Sequence, residues 1–108
     1  MASWKDAVRI ALKFPGVEQA ISYGEPSLKV RKSLLTRWRK NDDSIVLLDV
    51  DMFERDQLVA GEPGTYFLEE HYSGHDIVLA NLPALELVAL EMFLERRWRN
   101  IAPKKLVK

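Results

Sequence analysis

Residues 14–50 read FPGVEQAISYGEPSLKVRKSLLTRWRKNDDSIVLLDV, and this stretch decides the fold class. Phe14-Pro15-Gly16 stops a helix, because Pro has no N–H to donate and Gly accepts a left-handed backbone. Val17 to Ile21 is expected to be a short apolar-lined connection leading to a Tyr23-Gly24-x-Pro26 turn. The period then changes to two. Leu28 and Val30 face one way, and Ser27, Lys29 and Arg31 the other. Lys32-Ser33 reads as a turn, after which Leu34, Thr36 and Trp38 alternate with Leu35, Arg37 and Arg39. Asn41 to Ser44 is a polar turn, and Ile45 to Val50 is apolar enough for a central strand.

The flanks follow the same logic. Ser3 with Asp6 approximates a capping box, and Trp4, Ala7, Val8, Ala11 and Leu12 recur at helical spacing. Asp51 with Glu54 is a second capping candidate, opening a helix over Met52 to Ala60 that Gly61 closes. Thr65 to Tyr72 and Asp76 to Leu82 read as two strands joined through Ser73-Gly74. Pro83 suits the first turn of a last helix, about Ala84 to Asn100, rich in Leu, Met, Phe and Trp. Residues 101–108 read as a flexible basic tail. The expected fold is α+β, one domain over residues 1–108. Its order is α-β-β-β-α-β-β-α, with a mainly antiparallel five-stranded sheet and three helices on one face.

Composition narrows the function classes. The chain has 108 residues, no cysteine and a formal net charge of zero. A length of this order supports one core without disulfides, and the lack of thiols excludes cysteine nucleophiles and thiolate metal sites. No run approaches the ~20 apolar residues of a membrane span, so a cytoplasmic location without membrane contact is expected. Neutrality argues against a strongly basic nucleic-acid binder, but the charges are segregated. Lys29, Arg31, Lys32, Arg37, Arg39 and Lys40 form one basic block. Arg96, Arg97, Arg99, Lys104, Lys105 and Lys108 form a second, and most of the acids lie between.

The order of motifs resembles the MmcQ/YjbR family of small bacterial proteins. The resemblance rests on Pro15-Gly16-Val17-Glu18 and on Ser22-Tyr23-Gly24-Glu25-Pro26-Ser27-Leu28-Lys29-Val30. It continues through Glu62-Pro63 before Tyr66-Phe67, then His71-Tyr72-Ser73-Gly74 leading into Ile77-Val78-Leu79, and ends with the apolar helix. It covers nearly the whole chain. Leu28 stands where the family often has an aromatic residue, and Arg31-Lys32-Ser33 where a glycine is common. The resemblance implies a frataxin-like, double-wing α+β domain and a DNA-binding role. Frataxin-type iron binding does not carry over, because the first helix sets Asp6 against Lys5, Arg9 and Lys13.

The candidate site is the basic sheet face: Lys29, Arg31, Arg37 and Arg39, with Lys40 beside them. Clustered guanidinium and ammonium groups hold phosphates by charge and by paired hydrogen bonds. DNA or another polyanion fits such a face, and so does an acidic protein partner. Pairing with Asp49 and Glu69 on neighbouring strands would instead neutralise it. Trp38 is expected in the core with Leu34. His71 and His75 flank a turn and lack a third ligand at a recognisable spacing, so no metal is expected. No cofactor is implied. Ser22, Ser27, Ser33, Ser44 and Ser73 lack a nucleophile elbow, and the glycines form no phosphate loop, so a non-enzymatic protein is expected.

Overall fold

Ser3 and Asp6 close the capping box. The Ser3 hydroxyl accepts from the Asp6 N–H at 3.2 Å, and the Asp6 carboxylate accepts from the Ser3 N–H at 3.1 Å. This starts α1, Trp4–Ala11, in a computed structural model that describes residues 1–72 and 74–106. The hydrogen bond from Arg9, helped by those from Ser3, holds the exposed Asp6 carboxyl below its ordinary value of 3.8. The folded pKa is thus the lower one. The stabilisation is present above the unfolded pKa and is lost as pH falls through the folded one. Wild type and Asp6→Asn should therefore differ in urea midpoint near neutrality and converge in acid; a gap that persists in acid would assign the effect elsewhere.

Six strands, rather than the five expected, follow: β1 Val17–Ser22, β2 Glu25–Val30, β3 Ser33–Arg39, β4 Ser44–Leu48, β5 Tyr66–Phe67 and β6 Ile77–Asn81. Two helices complete the order: α2, Met52–Gly61, between β4 and β5, and α3, Leu87–Ile101, after β6. The sheet runs β1-β2-β3-β4-β6-β5 and all its pairings are antiparallel. The additional strand is β1, which replaces the expected connection. Tyr23 (φ 53°) and Gly24 (φ 77°) are both left-handed, as a tight two-residue hairpin requires. Such a turn needs a strand on each side, and Val17 to Ser22 pairs along its whole length with β2.

The turn after β2 is Arg31-Lys32, with Arg31 at φ 57°, so Arg31 leaves the sheet face on which alternation placed it. In β3 the register shifts. Leu28 pairs with Thr36, but Lys29 pairs with Leu34, so Leu35 is an extra, bulged residue. Leu35 joins Thr36 on the core side, and Leu34 turns to the opposite face. The expected grouping of Leu34 with Thr36 and Trp38 fails here, because a strict period of two does not register an inserted residue.

The strand expected over Thr65 to Tyr72 shrinks to Tyr66–Phe67. The chain then leaves the ladder and makes a 3-10 turn at Glu70–Tyr72. Ser73, part of the expected hairpin turn, lies outside the described residues. Pro83 opens a separate 3-10 turn, Leu82–Ala84, ahead of α3.

One face of the sheet carries the core. Leu28, Val30, Ile45, Leu47, Val78 and Ala80 meet Ala7, Ile10 and Ala11 of α1 and Leu90, Phe93, Leu94 and Trp98 of α3. Leu58 and Val59 of α2 pack at its margin. The spacing of the α3 residues is that of a single apolar stripe. Trp38 packs on this side, its ring stacked on Trp4 with centroids 6.1 Å apart. Its Nε1 donates to Asp43 at 3.0 Å. Trp98 stacks on Phe14 and donates to the Pro15 carbonyl at 2.8 Å, tying the helix stop to α3.

The tail is anchored further than expected. Ile101 ends α3, and the Leu106 N–H donates to Pro103 O at 2.8 Å while its side chain packs on the core. A Cβ at Gly16 (φ +85°) would come within 3.1 Å of Leu106. The left-handed backbone there favours glycine, and an added Cβ would also press on the Leu106 side chain. Lys108, the last member of the second basic block, lies outside the described residues.

Candidate functional site

The sheet face opposite the helices is where the basic block was expected. Registry places Ser27, Arg37, Val46, Leu79 and Phe67 in one row across it. Lys29 and Arg39 lie on the same face, two residues along their strands from Ser27 and Arg37. Arg31 and Lys40 lie in the turns at the two ends of β3.

Of the expected cations, Arg39 is already committed. It pairs with Asp42 at 3.0 Å and with Glu69. Neutralisation by Glu69 is therefore realised for Arg39, but by a residue that has left the ladder. Asp49 takes no part on this face. It accepts two hydrogen bonds from Arg97, at 2.9 and 3.1 Å, and one from Asn100 at 3.0 Å. Arg96 grips Glu54 with two hydrogen bonds at 2.8 and 3.0 Å, and this carboxylate contact holds its guanidinium above the ordinary value. Arg99 pairs with Glu95 one turn earlier. The arginines of the second basic block thus neutralise acids of the middle segment and of α3 itself. Only Arg97 reaches the first block's strand, donating to the Leu34 carbonyl at 2.9 Å.

Among the described residues, Lys29, Arg31, Lys32, Arg37 and Lys40 have no carboxylate within ion-pair distance. Arg37 is the one held in a defined place. Its guanidinium lies over the Tyr23 ring, 5.6 Å from the centroid, and donates to the Tyr72 hydroxyl. These side chains border a cup of about 260 Å³. Leu34, Val46, Leu48 and Ile77 form its apolar lining, and His71 and His75 complete it. His71 packs edge-on against Tyr72 with centroids 5.0 Å apart. Tyr23 is 91% exposed.

Five segments contribute to this cup: the β1–β2 turn, β3, β4, the connection between β5 and β6, and the start of β6 at Ile77. Arg37 is legible in the sequence, but its setting is not. From the sequence, Tyr23 reads as a turn residue, Leu34 as core, and His71 and His75 as a pair flanking a turn with no metal expected. A large aromatic at a left-handed turn position was the available signal for Tyr23, since that site favours Gly or Asn.

Among the described residues, no helix is long and apolar enough to cross a membrane. No protein-family model matches the chain, and no solved structure matches it. Uncharacterised proteins of Mycobacterium tuberculosis and Mycobacterium bovis are 31% identical over 121 aligned residues, covering 99% of this chain and 94% of theirs. The chain belongs to the same family as these mycobacterial proteins.

Proposed function

We propose that this is a non-enzymatic binding protein of MmcQ/YjbR type that holds nucleic-acid phosphates along the open face of the sheet. The carrying observation is Arg37: half-buried, fixed by two tyrosines, and without a carboxylate partner among the described residues. A guanidinium held in that way keeps donors available for an anion at little further ordering cost. Lys29 lies on the same face, and Arg31 and Lys40 extend the charge to the ends of β3. Arg39 supports the site by holding the Glu69 loop over the sheet.

Binding carried by phosphates weakens linearly in a double-logarithmic plot against salt, with a slope of about 0.7 to 0.9 per phosphate neutralised. Fluorescence anisotropy with a labelled oligonucleotide should show this behaviour. The pair Lys29→Gln and Arg37→Gln should lower affinity for every sequence tested and flatten the slope by about 0.7 to 0.9 per lost contact. Failure to bind at low salt, or an unchanged slope in a folded variant, would sink the proposal.

An adaptor role is the second reading. It rests on β1, a six-residue strand at the sheet edge whose Ile21 is 67% exposed. Such an edge accepts an added strand.

A further inference from the structure

From the cup beside Arg37 we infer that the protein selects single-stranded over duplex nucleic acid, by taking one unstacked base into the cup. This rests on the phosphate-binding reading of the same face. The chemistry of the cup is mixed in a particular way. Its lining is apolar, from Leu34, Val46, Leu48 and Ile77, and its sides are aromatic, from Tyr23 and Tyr72. Arg37 supplies one cation beside them.

A duplex presents phosphates and sugars on its outside and keeps its bases stacked within. Docked on this face, it would leave the apolar lining and the solvent-facing side of the Tyr23 ring uncovered. Among the described residues no α-helix projects from this face to enter a groove, since α1, α2 and α3 pack on the other side. An unpaired base instead offers a flat apolar ring to Tyr23, and its own phosphate to Arg37. Aromatic stacking with a neighbouring cationic groove is how proteins hold single strands without reading sequence. The volume, about 260 Å³, is near the lower end of small-ligand pockets, which start at ~300 Å³. It suits one ring system rather than a run of stacked bases.

Tyr23 is the discriminating residue because its ring is exposed and no core contact depends on it. The test compares a labelled oligothymidine strand with a duplex of equal length, at one salt concentration, by anisotropy. Single strand should bind more tightly. Tyr23→Ala should weaken single-strand binding at least about fivefold more than it weakens duplex binding, the lower limit for losing one base–aromatic stack; equal losses on both overturn the inference. Tyr23→Phe should behave as wild type. Photo-crosslinking from an iodouracil-substituted strand should map to Tyr23 or Tyr72. Duplex bound as well as single strand, or a Tyr23→Ala variant of unchanged affinity, overturns the inference while leaving the phosphate reading standing. No binding of either nucleic acid at low salt overturns both.

Discussion

Trp98→Ala should lower the unfolding free energy by roughly 3–5 kcal/mol, the range for emptying a buried aromatic site. Trp98 is 6% exposed and does two things at once. Its ring stacks on Phe14, 5.3 Å between centroids, and its N–H reaches the Pro15 carbonyl. The residue therefore closes the layer between α3 and the segment that leads into β1. A domain of this size is stabilised by only about 5–15 kcal/mol, so the variant should sit close to unfolding at room temperature. Trp98→Phe should retain the stack and lose chiefly the hydrogen bond, at about 1–2 kcal/mol. Urea denaturation of the three proteins checks this. Equal losses for the alanine and phenylalanine variants would mean that the hydrogen bond, not the ring, carries the effect.

Arg97→Ala should cost about 2–3 kcal/mol, more than a surface ion pair of ~0–1 kcal/mol and less than a fully buried one of ~3–5 kcal/mol. The pair is half-covered, with Arg97 18% and Asp49 29% exposed at the side chain. Two groups lose their partner. The carboxylate of Asp49, a residue held at φ 63°, keeps its hydrogen bond from Asn100 but loses both from Arg97, and the Leu34 carbonyl at the bulge loses its donor. Lysine supplies one compact charge and no fork, so Arg97→Lys should recover less than half of the loss. The deficit should change little between low and high salt, because partly buried pairs are weakly screened. Full rescue by lysine would reduce the interaction to plain charge. The same change bears on function. Leu34 lines the cup because the bulge turns it there, so loosening the bulge should also weaken single-strand binding through the Tyr23 site.

The elements that announced themselves did so through short-range chemistry. Ser3 with Asp6, the Asp51 cap, Gly61 and the apolar stripe of α3 act within one or two helical turns, and each stands where expected within a few residues. The alternation of β2 put Leu28 and Val30 in the core and Lys29 opposite, as registry shows. The misses share one cause. Nothing within Val17 to Ser22 marks it as a strand except the turn that follows, and its pairing partner lies across that turn. The β3 bulge is invisible to a period of two. Thr65 to Tyr72 has strand-like residues, but the strand stops after Phe67, and Glu69 and Tyr72 instead reach Arg39 and Arg37 across the sheet.

The site divides in the same way. That Arg37 and Arg39 share the face away from the helices was legible in the alternation of β3. That Arg39 is neutralised, while among the described residues Arg37 has no carboxylate partner, depended on where the connection between β5 and β6 comes to rest. By itself the sequence determined an antiparallel α+β domain with a basic strand pair, because propensity, capping and turn geometry depend on near neighbours. Only the tertiary structure decided which cations remain open and that Tyr23, Leu34, Arg37 and Tyr72 form one cup. Ion pairing and concavity are set by groups tens of residues apart, and local periodicity carries no record of them.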